Sequence, residues 1–386
     1  MHILIIPSWY PNTYAPVHGT YFREQVDALR NTGIQVGVIA PVLRSLRELN
    51  FRNVLQNHGQ ISYDKENDVN VYRKHAWQPP KGGRLGRILW LKYARSLFER
   101  YVSEHGLPDL IHAHCHIWAG VAAKQIKDQY GVPFVITEHF SGYITGTMPS
   151  WMLKEVPGTA SSATKVMAVS RALSIQLERV IGSKSVSVIP NMVDVDFFSL
   201  PVTRPSFTPF KFLFVGFLYK KKAVDVLLSA FSKLVHEGYD VLLDIAGDGP
   251  EKIRLQKIAE IKGVSNRVRF LGLLSRENVR GAMWQSHVFV LPSYVETFGV
   301  VLLEAMATGL PVIATRCGGP EEFVGREGGI LVEKGDDTAL ANAMKEFVNK
   351  KGQYLSSQSA RENICVNFSR TSVANKLLDI YREAID

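Results

Sequence analysis

Residues 288–315 read VFVLPSYVETFGVVLLEAMATGLPVIAT, and their pattern decides the fold. Apolar, β-branched runs at 288–291 and 311–315 bracket an Ala- and Leu-rich segment with the length of a short buried helix. This is a strand, loop, helix, strand unit. In an open parallel sheet the loop after the first strand sits at the carboxyl edge, where α/β sheets bind ligands. Glu296 lies in that loop, and Glu304 falls one to two turns inside a helix starting near Phe298 or Gly299. The first N–H groups of that helix and its positive dipole end would face the same crevice, which suits a phosphate. Gly299 lets backbone approach closely. Eight residues of helix rise about 12 Å, whereas paired carboxyl groups that cleave glycosides with retention stand about 5–5.5 Å apart. Glu296 and Glu304 therefore read as a grip on two parts of one long ligand. Taken without their flanks, they would be an exposed loop glutamate and a salt-bridged helix glutamate.

The length of 386 residues exceeds what one core usually supports, so two domains are expected. Strand and helix patterns alternate along both halves, and each half reads as α/β. The opening MHILIIPSW has a short apolar run with no basic region before it, which makes it a first strand rather than a signal peptide. No apolar run reaches the roughly 18 residues of a membrane span, so a cytoplasmic protein is expected. Cys115, Cys317 and Cys365 form no disulfide framework and no Cys-x-x-Cys zinc signature. The net charge of +9 favours an anionic partner: a nucleotide, a phospholipid surface or nucleic acid. No nucleic-acid-binding motif accompanies it, and no nucleic acid is expected.

The run from 288 to 315 resembles the donor-site signature of family 4 retaining glycosyltransferases of the GT-B fold, in which two glutamates separated by seven residues flank a Thr-Phe-Gly turn. The resemblance implies two Rossmann-like domains facing a central cleft, with a C-terminal helix crossing back to the N-terminal domain. Expected boundaries are 1–200 for the acceptor domain, 201–365 for the nucleotide-sugar donor domain and 366–386 for the terminal helix. It further implies that Glu296 contacts the transferred sugar, that Glu304 holds the ribose hydroxyls, and that amides around Thr297, Phe298 and Gly299 meet the diphosphate.

Other segments carry the same resemblance. At 19–20, where the family often has two glycines near the donor phosphates or acceptor, stand Gly19 and Thr20; a plain turn is an equal alternative. The run DLIHAHCHIWAG places His112, His114 and His116 at alternate positions of a strand, which admits a metal site, yet no second ligand cluster is evident. His114 is then expected at the crevice edge, and no metal is expected. The strand near 132–136 ends in TEHFSGY, where His139 matches the position of the family's active-site histidine. IPNMVD, with Asn191, resembles the family's Pro-Asn-Gly-Val-Asp passage between domains, and 200–210 is the expected linker. In FVGFLYKKKA, Gly216 and Lys222 match the diphosphate loop, but Phe217 stands where the family has an arginine; Lys220 or Lys221 could compensate. The backbone near Val268 would face the nucleobase.

Residues 44–104 hold twelve Lys or Arg against six Asp or Glu. On a helix, Trp90, Ala94, Leu97, Phe98 and Tyr101 share a stripe opposite Lys92, Arg95 and Glu99, and Arg84 and Arg87 precede it beside Leu85, Ile88 and Leu89. The stripe suits ordinary packing on a sheet, and the basic end suits an anionic membrane. The implied activity is transfer of a sugar, UDP-linked for preference, to a glycan or lipid-linked acceptor, without cofactor or metal, at the inner face of the membrane. Alternatives are a GT-B nucleotide-sugar epimerase or phosphorylase, or, given Phe217, a catalytically weak nucleotide-sugar-binding protein.

Overall fold

The computed structural model describes all residues except 18, 47–58, 79–82, 183–184, 204–205, 207, 326–327 and 351–357. The chain divides into two compact units. The first comprises Met1–Val169, Leu173–Pro190 and Val373–Asp386, and the second Ser170–Ala172 and Asn191–Ser372. The change of unit thus falls at Pro190, ahead of the proline-bearing stretch at 200–210 expected as the linker, and that stretch lies inside the second unit.

The first unit is built on eight strands: β1 (His2–Pro7), β2 (Gln35–Ser45), β3 (Ile61–Glu66), β4 (Val69–Gln78), β5 (Leu110–His114), β6 (Phe134–Glu138), β7 (Lys165–Ala168) and β8 (Ser187–Val188). Their order is β3-β4-β2-β1-β5-β6-β7-β8, parallel except for β3 against β4. β1, β5 and β6 are buried along their whole length, as in a sheet covered on both faces, and β5 and β6 carry His112, His114, Thr137 and Glu138 into that burial. The weakly patterned stretch 41–70 carries the end of β2 and all of β3, with 47–58 outside the described residues. β3 escapes a hydrophobic pattern search because it is an exposed edge strand, ISYDKE, turning into β4 through Asn67 and Asp68, both at positive φ (46° and 64°) as a two-residue hairpin demands.

The helix Arg84–His105 buries Trp90, Ala94, Leu97, Phe98 and Tyr101, the stripe read from the sequence. Its first turns expose Leu85 and Ile88, while Leu89 is half-buried. The terminal helix Arg370–Ile385 buries Val373, Leu377, Ile380 and Tyr381. Tyr381 Oη lies 2.6 Å from Nδ1 of the fully buried His112, so this helix is fastened to β5 of the first unit.

The second unit holds six parallel strands: β9 (Phe210–Val215), β10 (Val241–Ala246), β11 (Val268–Gly272), β12 (Val288–Leu291), β13 (Val312–Thr315) and β14 (Gly329–Val332), in the order β11-β10-β9-β12-β13-β14. The order reverses between β9 and β12, the switch point where doubly wound sheets place ligands. Among the described residues no helix is long and apolar enough to cross a membrane.

Tyr381→Phe removes the hydroxyl from His112 Nδ1 inside the first core. The expected cost is about 1–3 kcal/mol, the penalty for a buried polar group left unsatisfied. Urea unfolding checks it, and an unchanged midpoint would show that the hydroxyl is not what fastens the terminal helix.

Candidate active site

In the second unit the loops after β9 and β12 meet. The helix Val300–Ala307 begins after Gly299, whose φ of 93° lies in the left-handed region that a side chain would strain. Its first N–H groups have no acceptors within the helix. Phe298 is 1% exposed and packs against the rings of Phe323 and Phe368, so its side chain belongs to the core and only its backbone faces a ligand. Thr297 is half-buried, and Glu304 is half-buried on the second turn of the helix.

Glu296 is held on several sides. Its backbone bridges to Gly318, and its carbonyl accepts from Gly319 N at 3.1 Å. Lys222 Nζ lies 2.6 Å from its Oε1, and Ser293 Oγ donates to the same oxygen at 2.7 Å. Lys222 and Glu296 are 16% and 12% exposed, so their attraction is only partly screened. Oε2 has no hydrogen-bond partner among the described residues and remains able to accept. The turn Lys220–Lys222 is pinned by Tyr294 N donating to Lys221 O at 2.8 Å, which joins it to the loop of Glu296. Burial, and then the charge of Lys222, lower the Lys221 ammonium, with Glu296 opposing them. Two cationic side chains thus address one carboxylate. Phe217, at the position where a cation was expected, is half-buried with its ring 6.1 Å from Tyr219.

Gly216 follows β9. A Cβ on Gly247, after β10, would stand 1.9 Å from Gly216 O, so that loop passes too close for any side chain. Val268 departs from expectation. It opens β11, whereas Gly272 closes it and receives Gly247 N at 2.7 Å. In a parallel sheet this puts Val268 at the amino edge, about four residues and 13 Å from the edge shared by Gly216 and Gly247. Val268 therefore lies at the opposite end of its strand from the edge where Gly216 and Gly247 stand. Asn191 is buried at the start of this unit, near Asp194, which pairs with Arg276 and Arg370.

In the first unit the carboxyl edge gathers Gly19, Thr20, His114 and His139. Gly19 precedes the helix Thr20–Arg30, and its carbonyl accepts from Phe22 N. Phe22 packs its ring 4.6 Å from His114 and 4.9 Å from His139. His114 Nδ1 lies 3.1 Å from His139 Nε2. One of these nitrogens donates and the other accepts, so the tautomer of His114 sets that of His139. The outer nitrogens, His114 Nε2 and His139 Nδ1, have no partner among the described residues. Burial lowers His112 to about 3 and His139 to about 4, the latter partly opposed by Glu138, and drives His114 well below its ordinary value.

Sequence reasoning missed the Glu138–His116 pair, at 2.9 Å and 1% exposure on each side. Burial alone would raise the Glu138 carboxyl, but the His116 ring and the N–H groups of His116 and Phe140 hold it at about 2. The adjacency of Glu138 to His139 was the available signal. His112 is used by Tyr381 and Thr137, His114 by His139 and His116 by Glu138. Among the described residues no three His, Cys, Asp or Glu could share a metal ion.

Residues 202–364 match the family model described as glycosyl transferases group 1, and residues 18–197 that of glycosyltransferase family 4. Over 376 residues the chain is 26% identical to TuaC of Bacillus subtilis (strain 168), described as a candidate teichuronic acid biosynthesis glycosyltransferase, covering 91% of this chain and 90% of that one. Among solved structures, sucrose-phosphate synthase from Thermosynechococcus elongatus superposes with a TM-score of 0.79 at 22% identity over 99% of both chains. Anabaena HepE, solved in complex with UDP and glucose, gives 0.76 at 19% identity over 99% of this chain and 100% of that one.

The neutral histidines imply a pH dependence. Unfolded, each binds a proton below about 6.5; folded, His112 and His139 stay neutral until about 3 and 4. Their contribution to stability is complete above pH 6.5 and drains away as pH falls toward 4. Glu138 adds a loss below its ordinary value of 4.5. Urea midpoints at pH 8, 6 and 5 should fall in that order, and less steeply in His139→Gln.

Proposed function

Because the chain belongs to the family 4 glycosyltransferases of the GT-B fold, we propose that it is a retaining enzyme that moves a sugar from a nucleotide-diphosphate sugar, a UDP-sugar for preference, to a glycan or lipid-linked acceptor. The observation that carries this is the Lys222–Glu296 pair at the carboxyl edge of the second sheet, beside the N-terminus of the helix that follows Gly299. Lys222 offers a cation to the diphosphate, the helix start at Val300 offers N–H groups and dipole, and Glu296 Oε2 offers an acceptor to a sugar hydroxyl. The UDP and glucose bound by HepE, a protein of the same fold, favour a uridine donor. The described activity of TuaC favours a glycan acceptor.

Glu296 is fixed by Lys222 and Ser293 and acts as a positioning group, so transfer proceeds on one face of the sugar. The acceptor hydroxyl attacks the anomeric carbon as the bond to the diphosphate oxygen breaks. Its proton passes to that departing oxygen, and the configuration is kept. No step requires a metal or cofactor. His139, neutral through burial, lies at the carboxyl edge of the first sheet, where the family's active-site histidine stands.

For a lipid-linked acceptor the supporting feature is the start of the helix Arg84–His105, where Leu85 and Ile88 are 69% and 58% exposed beside Arg84. A cytoplasmic protein resting peripherally on the inner face of the membrane accords with it. Flotation with anionic liposomes at low salt is the test, and failure to associate would leave a soluble acceptor.

Thermal-shift screening with UDP-, GDP- and ADP-sugars identifies the donor. Lys222→Ala should then weaken binding of the nucleoside diphosphate about 10- to 100-fold, the worth of one charge-assisted hydrogen bond of about 1.5–3 kcal/mol. Glu296→Ala should abolish transfer with little change in unfolding midpoint and no loss of diphosphate affinity. Full transfer by that variant would overturn the assignment.

A further inference from the structure

The first unit contains a cavity of about 220 Å³ at the carboxyl ends of β1 and β2, walled by Trp9, Tyr10, Trp90 and Trp118 with Pro41 and Asn12. Four aromatic rings in so small a space are more than packing requires, because Trp9 and Trp118 are only half-buried there. The walls are also fixed. Ser8 Oγ, at the end of β1, accepts from Trp118 N at 2.9 Å, which sets the turn bearing Trp118 against Trp9. The Asn12 side chain accepts from Tyr14 N and Ala15 N and donates to Tyr10 O, closing the loop over the cavity.

One ring separates this cavity from the histidine pair. Trp9 Nε1 donates to Tyr21 Oη at 3.1 Å, and the Tyr21 ring stands 5.4 Å from that of His139. On the other side of Asn12 lies a second cavity of about 560 Å³, lined by Arg23, Asp64, Glu66 and Arg73.

We propose that the aromatic cavity is a subsite for a single pyranose ring of the acceptor, held one side chain away from the histidine pair, and that the acceptor continues as glycan into the charged cavity. A pyranose offers a flat C–H face to indole and phenol rings and a polar rim to amides and charged groups. An acyl or polyprenyl chain matches the first cavity only, since the second holds the Arg73 ion pairs with Asp64 and Glu66, and hydrocarbon there would strip water from the half-exposed Asp64. The volume is below the roughly 300–1,000 Å³ of drug-sized pockets and accommodates one ring rather than several. This assignment presupposes the proposed transfer reaction and specifies its acceptor.

The test uses the full chain and tryptophan fluorescence, with methyl glucoside, galactoside, mannoside and N-acetylglucosaminide as probes, 1-octanol as the apolar comparison and UDP in a parallel titration. At least one glycoside should give a saturable change with a dissociation constant on the order of 1 mM, as expected for about a dozen heavy atoms. Trp118→Ala should weaken it at least about tenfold and Trp118→Phe far less, the loss or retention of one aromatic contact. Trp9→Phe provides a second variant should Trp118→Ala fail to fold. UDP affinity should be the same in every variant. Absence of any glycoside effect, or a response to 1-octanol alone, would overturn the subsite. Glycoside binding without UDP binding would instead overturn the nucleotide-sugar reading, and with it the acceptor role, and leave a pyranose-binding cavity.

Discussion

A carboxylate that is only 12% exposed needs a cation within reach, and Glu296 finds Lys222 at 2.6 Å. That contact joins loops 74 residues apart in sequence, after β9 and β12, which are neighbours where the strand order of the second sheet reverses. The surrounding details serve it. Ser293 shares the carboxylate oxygen, Tyr294 ties down the lysine turn, and the bridge to Gly318 fixes the backbone. A diphosphate arriving there would meet a lysine already positioned by an anion that it can replace.

The first unit reaches order by the opposite route, by removing charge. His112, His114 and His139 are buried neutral, and each uses at least one nitrogen toward a hydroxyl or another ring. The one ionised group at its centre, Glu138, is satisfied by His116 and by three backbone N–H groups, those of His116, His139 and Phe140. A neutral histidine with a free nitrogen is suited to orienting a hydroxyl, because it can accept or donate one hydrogen bond without carrying charge into a dry pocket.

Much of this was legible in the chain itself. The apolar runs at 288–291 and 312–315 are strands buried on both faces, and Gly299 marks the helix start, so the central unit is readable from local pattern alone. Edge strand β3 was not, because an exposed strand has no hydrophobic period to find. Val268 shows another limit: a motif locates a strand, but only pairing with β10 tells which end of it lies at the ligand edge. The Lys222–Glu296 and Trp9–Tyr21 contacts are tertiary, and no spacing in the chain announces either.

On the proposed reading the two units would divide recognition by physics. Charge and dipole in the second unit suit phosphate, with little regard to what the phosphate carries. Aromatic faces and fixed amides in the first discriminate shape and hydroxyl pattern, where a site built to satisfy polar groups rejects a molecule lacking them far more sharply than an apolar pocket rejects a missing methylene. Phe217 fits this division. An arginine there would add affinity for any diphosphate, whereas Lys222, held against Glu296, makes the available cationic charge depend on what Glu296 itself is bound to. On the proposed reading, a sugar hydroxyl drawn to Glu296 and a diphosphate drawn to the lysines would favour one another's binding, and the intact donor would be preferred over the bare nucleotide.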